Sequence, residues 1–507
     1  MSAKSERAAA PRGPATAEGV RFPEGHTAST LFYEILREAV DRYPDVLGPA
    51  ELPPDARTFR KTYADALVRF EAYRASSPRR SEIARDIVRA TASRLRFGTG
   101  QADRPLDEYF ARPADPLPVE TLTLGPPTRL TPRVPWEGRT YTGKELHALA
   151  DTFLERHLMT RAAADALRWI SDHARATGGI DLSGHKFAVL GASAELAATR
   201  LLLEAGASVL WIDLTEPPAA LRANEEQLGG SLTHVREGAD LLLQPREIAR
   251  TIADFAGSDA AHLALYAYAA GHGSEWRLAA AMNGIVRCLD PDIVRSVTLL
   301  VSPTSTAVVQ PEDRDAASHH PARWWQSLLE RAGRLPPSRF ATGGVELIRA
   351  IVPIQGVGYQ AAQHIEKMLT AESLVSYGTR LDGETRSSVD VSANVAGISR
   401  TRSLSHAVFD AAYLGAPLFG VTTFDPTTTR WLSGLLALHD LLNPDAPGSA
   451  TRPSSEDATR AAALFAQQVH GGIYALPWAL EPCITFAAVV GFARRPPLLW
   501  RVIRGRA

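Results

Sequence analysis

Cysteine is almost absent: Cys288 and Cys483 are the only two in 507 residues. That excludes a disulfide framework and any metal site built on several thiolates, and it fits a reducing compartment. An excess of one charge is missing too, since 55 basic side chains face 56 acidic ones. No global field therefore points to nucleic acid or to a polyanionic substrate. Nor is there a clean apolar run of membrane length. The nearest, "YALPWALEPCITFAAVVGFA" at 474–493, is interrupted by Glu481 and two prolines and reads as a buried helical hairpin, with no integral membrane span expected. Residues 1–26 carry small and basic residues without an apolar h-region, so they read as a disordered leader and the protein as cytoplasmic.

What the sequence does contain is periodic. Between 27 and 111, "TLFYEILREAVDRY" and "SEIARDIVRATASRLRF" repeat apolar residues every three or four positions, which predicts a helical N-terminal region. Residues 112–138 are rich in proline and threonine and read as a linker or short hairpin. From 139 to 443 short apolar runs ("KFAVLGA", "SVLWIDL", "HLALYAYA", "SVTLLVS", "VDVSANVAG") alternate with helical stretches. This predicts an α/β fold, a doubly wound parallel sheet of Rossmann type. Residues 306–345 read as an insertion or lid, and 444–507 as a C-terminal helical extension.

The stretch "FAVLGASAELAATRLLLEAGASVLWID" at 187–213 joins two predicted strands through a turn of small residues. Such a turn lets backbone N–H groups approach a pyrophosphate at a helix N-terminus. Gly191, Ala192, Ser193, Ala194 and Leu196 are its expected cofactor contacts. Glu195 is a carboxylate that repels a phosphate if it faces the site and is harmless if it faces away. Asp213, ending the second run, is where an acid accepts the ribose hydroxyls of NAD and disfavours the 2′-phosphate of NADP.

With these motifs in order, 186–405 resembles the short-chain dehydrogenase/reductase family in its atypical or extended branches. The resemblance implies adenine contact by Asp240 in "EGADLLLQ". It matches Ala270 and Gly271 in "YAAG" to the family's N-A-G loop, and Thr401 in "ANVAGISRT" to its threonine at the nicotinamide end. It further implies a catalytic serine at Ser302, ending "VTLLVS", and a Tyr–Lys pair. The first tyrosine after Ser302 is Tyr359 and the matching lysine is Lys367, a Tyr-x7-Lys spacing where the family has Tyr-x3-Lys. Eight residues of α-helix leave the two about 80° apart. They are either a catalytic pair or a core tyrosine and a solvated lysine.

His364, one turn beyond Tyr359, is an alternative acid or base. His319 and His320 have no partners at metal-ligand spacing, so no metal is expected. Arg400 and Arg402 either clamp an anion or form a solvated turn. The expectation is an NAD-dependent oxidoreductase, with NADP possible, acting on a carbonyl or activated C=C of a hydrophobic small-molecule substrate such as an acyl or polyketide-like intermediate of secondary metabolism. A homo-oligomer is compatible with it. The rivals are an isomerase, lyase or cyclase on the same fold without net redox, and a non-catalytic binding module.

Overall fold

A computed structural model describes residues 18–99, 102–126, 128–225, 228–269, 271, 273–379, 389–402 and 406–504. Its centre is a seven-stranded sheet. Six strands are parallel and run, across the sheet, Asp390–Val395, Val294–Val301, Ala261–Leu265, Lys186–Leu190, Ser208–Ile212 and Gly230–Val235. In chain order that is sixth, fifth, fourth, first, second, third. Val119–Gly125 joins the free edge of the third strand antiparallel.

The five apolar runs singled out above all lie in this sheet. They are largely apolar because both faces are covered, the sixth strand being the exception with Asp390, Ser392 and Asn394. Successive side chains point to opposite faces, and the two faces feed different cores. Ala188, Leu190, Leu210, Ile212, Leu263 and Leu265 join a core with helices Ala28–Arg42, Ala56–Ser76 and Arg80–Arg94. Phe187, Val189, Val209 and Trp211 join the other, with helices Arg161–Thr177 and Pro426–Leu442. The N-terminal helices thus form a layer of the sheet's own packing.

Three expectations need correction. Residues 1–17 lie outside the described residues, but 18–26 are ordered: Glu18–Arg21 pairs with Arg96–Thr99, and Val20 is buried and donates its N–H to Leu242 O. The expected linker at 112–138 supplies the antiparallel edge strand and the hairpin Arg133–Trp136/Arg139–Thr142. Its strand was hidden because an edge strand is half exposed and alternates, here as Val-Glu-Thr-Leu-Thr-Leu, between flanking prolines. The predicted hairpin at 474–493 is one helix, Leu480–Arg494, with one face in solvent. Among the described residues no helix is long and apolar enough to cross a membrane.

The segment 306–345 carries helices Pro311–Ser318 and Trp324–Arg331 and the strand Arg339–Thr342, which pairs with Val345–Ile348. It returns the chain to helix Val357–Ala361. That helix runs on as a π-helical segment, Ala362–Leu369, and ends as Thr370–Tyr377.

Candidate functional site

Ser302 follows the C-terminal end of the fifth strand, and three glutamines hold its loop against the Tyr359 helix. Gln363 Oε1 accepts the Ser302 N–H at 2.8 Å, Gln360 Nε2 donates to Thr304 O at 2.8 Å, and the Thr304 hydroxyl donates to Gln355 Oε1 at 2.8 Å. Ser302 Oγ and Thr304 Oγ1 are 2.9 Å apart. The Tyr359 phenol lies against both hydroxyls. Burial pushes the Tyr359 pKa up, the Ser302 and Thr304 hydroxyls pull it partly back, and the nearby Glu275 carboxylate pushes it up again.

Lys367 reaches this cluster through Glu275, with Nζ 3.4 Å from Oε1. The other oxygen, Oε2, accepts the Ala269 N–H at 2.9 Å. Glu275 is buried, and burial raises its pKa against the pull of Lys367 and the Ala269 N–H. The α-helical estimate of 80° between Tyr359 and Lys367 does not hold, because the intervening segment is π-helical and each of its turns takes in an extra residue.

The candidate cofactor turn is built differently from expectation. Gly191 has φ +85°, and a Cβ there would sit 2.3 Å from both Cα and N of Ala267. Glycine is required by conformation and by contact with the fourth-strand exit. Replacing it with alanine is expected to destabilise the fold by roughly 2–4 kcal/mol, combining positive-φ strain with overpacking. Urea denaturation checks this, and a loss below 1 kcal/mol would mean the turn relaxes easily.

Ala192 is buried and its carbonyl accepts the Thr199 hydroxyl at 2.8 Å, so it faces the core. Ser193 is exposed, while Ala194 and Leu196 are partly exposed. No helix begins at the turn: Thr199–Glu204 starts eight residues after Gly191 and is six residues long. The expected helix N-terminus for a pyrophosphate is absent because consecutive tight turns, Ala194 N–H to Gly191 O and Ala197 N–H to Ala194 O, carry the chain instead.

Asp213 points at this turn. Its carboxylate accepts the Ser193 N–H and the Leu214 N–H, each at 2.8 Å. Glu195 faces away, toward the sixth-strand exit, where it accepts the Arg402 N–H at 2.7 Å and lies 3.4 Å from Arg402 Nε. Arg400 instead donates to Thr423 Oγ1 at 3.1 Å, and Thr401 sits between them, partly buried. Asp240 accepts the Leu242 and Leu243 N–H groups at 2.8 and 3.3 Å, a loop-capping role ahead of helix Pro245–Ala256. Gly271 has φ +81° in the fourth-strand loop. Ala270 lies outside the described residues.

The structure therefore places the Tyr359 phenol beside the Ser302 and Thr304 hydroxyls, with Lys367 paired to Glu275 and not to the phenol. Residues 266–269 run between that cluster and Gly191. His364 does not join it: the ring is buried between Phe32 and Phe70 of the N-terminal helices, 3.6 Å from Glu71, and burial lowers its pKa to about 4. His319 is exposed, and His320 is half-buried beside Trp478. No group of three or more potential metal ligands occurs among the described residues.

Sequence reasoning missed Glu275, Thr304 and the glutamines. An acid in the first turn of a helix, as Glu275 is in Ser274–Cys288, looks like an ordinary dipole partner. It also missed a cavity of about 540 Å³ lined by His157, Asp313 and His320. Below it the buried Asp313 meets His470 at 3.1 Å, and Tyr474, stacked on His470, donates to Pro303 O in the Ser302 loop. No protein-family model matches this chain, and neither does any curated protein or solved structure.

Proposed function

We propose that this chain is an NAD(P)-dependent oxidoreductase on a Rossmann-type sheet, acting on a carbonyl or activated C=C of a hydrophobic small molecule. The observation that carries the reading is the convergence of Ser302, Thr304, Tyr359 and the Glu275–Lys367 pair at the C-terminal ends of parallel strands. The strand order supports it, since ligands of such sheets bind outside the carboxyl ends at the point where the order reverses.

The residues present fit a dinucleotide at its adenosine end. Asp213 uses two of about four acceptor positions on backbone N–H groups, leaving others for ribose hydroxyls. Glu195 accepts the Arg402 N–H and faces away from the turn. When bound, the cofactor supplies or accepts the hydride. Tyr359, a phenol and so protonated at neutral pH, donates a proton to the developing oxyanion, and Ser302 and Thr304 orient the substrate oxygen.

Isothermal titration with all four nicotinamide nucleotides tests the proposal. NAD(H) is expected to bind at least tenfold tighter than NADP(H), about 1.4 kcal/mol, because Asp213 repels a 2′-phosphate. Equal affinities would mean that Asp213 does not meet the ribose. Binding of neither would remove the redox reading. It would favour the second, an isomerase, lyase or cyclase using the same tyrosine as acid. The observation on its side is the thin anion cradle, a turn without a helix N-terminus whose Ser193 N–H is already engaged.

A further inference from the structure

We infer that the corner formed by helices Leu480–Arg494 and Pro496–Ile503 is a docking surface for an anionic lipid bilayer. The first helix is seated rigidly on helix Ala407–Gly415. A Cβ on Gly491 would fall 1.8 Å from Ala411 O, and one on Gly415 would fall 2.0 Å from Ala487 O. On this base the second helix buries Leu498 against Ala407, Ala411, Ala412 and Ala488. Its opposite side is left to solvent, and it is apolar: Leu499 is 42% exposed, Trp500 58% and Ile503 63%, with Val489 of the neighbouring helix at 60%.

At about 100° per residue, Leu499, Trp500 and Ile503 share one flank of the exposed half, and Arg501 and Arg504 take the other. Arg494, which ends the first helix and donates to Leu414 O at 2.8 Å, and Arg495, between the helices, are also exposed. From 482 to 507 the sequence has five arginines and no acidic residue, although the whole chain carries a formal charge of only −1. Asp410 of the helix beneath lies 3.6 Å from Arg501, so the net basic charge beside the apolar side chains is that of Arg494, Arg495 and Arg504.

That pairing selects the occupant. A symmetric contact with a second copy through this patch would set its arginines against themselves. A bilayer with acidic headgroups takes both components at once: Trp500, Leu499 and Ile503 enter the headgroup–acyl boundary while the guanidinium groups remain among the phosphates. The attraction has an electrostatic part and therefore falls with ionic strength.

Flotation of the purified full-length chain with vesicles tests this. Vesicles of phosphatidylcholine containing phosphatidylserine are expected to carry at least tenfold more protein than phosphatidylcholine alone, with the difference lost in concentrated salt. Leu499→Ser/Trp500→Ser/Ile503→Ser and, separately, Arg495→Glu/Arg504→Glu should each reduce flotation at least tenfold while circular dichroism stays that of the parent. Equal flotation on both vesicle types, none on either, or folded variants that float like the parent would overturn the proposal. So would a concentration-dependent dimer that the apolar triple variant abolishes in a chain that ignores vesicles, which would assign the patch to self-association.

Discussion

Tyr359→Phe is expected to fold and to bind cofactor normally while turnover falls by about 10²-fold or more, since only the hydroxyl that meets Ser302 and Thr304 is removed. Lys367→Met, which takes the cation from Glu275, should also lower turnover, and the double variant should be scarcely worse than Tyr359→Phe if the lysine acts on the phenol through that carboxylate. Ser302→Ala should cost less, with Thr304 Oγ1 only 2.9 Å away to replace its hydrogen bond. Glu275 adds a test that a merely structural role would not meet. Its carboxylate holds the Tyr359 pKa up, so Glu275→Gln should move the loss of activity at high pH, where the phenol deprotonates, to lower pH. Near-normal turnover in Tyr359→Phe would assign the acid elsewhere and turn the fold toward the non-redox reading.

Arg74→Met is expected to destabilise the protein by about 3–5 kcal/mol, because it strips a buried charge from two buried partners. Arg74 bridges Glu71 at 2.7 Å and Glu372 at 2.9 Å, all three nearly inaccessible to water, and Arg80 adds a second cation to Glu372 at 2.8 Å. Burial alone would raise the Glu372 pKa, but the two guanidinium groups hold it down to about 2. A depressed carboxylate contributes stability above its unfolded value, near 4.5, and loses it as pH falls toward about 2. The urea midpoint of the wild type should accordingly drop between pH 5 and pH 3, and Glu372→Gln should flatten part of that drop. An Arg74→Met protein with an unchanged midpoint would mean water already reaches the cluster.

The sheet was legible because most of its strands, covered on both faces, are rich in apolar residues, and turn residues mark where each stops. Ser302 could be read as the residue ending such a strand. Tyr359 could be read only by its order after the 306–345 segment, and the angle to Lys367 was drawn for an α-helix where the chain from Ala362 is π-helical. The same assumption drew His364 toward the site, when it packs between Phe32 and Phe70. Asp213 was visible as a strand-end acid, but its hydrogen bond to Ser193 depends on a contact between two loops that local pattern does not encode. Asp240 is an acid at a strand exit too, and its bonds to the Leu242 and Leu243 N–H groups were equally beyond local pattern. Glu275 was unreadable because its partners, Ala269 and Lys367, meet it only in the folded chain.

The Arg74–Glu372 bridge joins residues 298 apart in the chain, and this distance sets a timetable for synthesis. At roughly 5–20 residues per second, Glu372 is made about 15–60 s after Arg74. Throughout that interval the arginine has Glu71 and the Arg80 carbonyl but not its second carboxylate, and the apolar faces of the first three long helices have no completed sheet to cover. The segment first made is thus among the last to find its place, and the nascent chain carries an exposed, half-finished core for most of its translation.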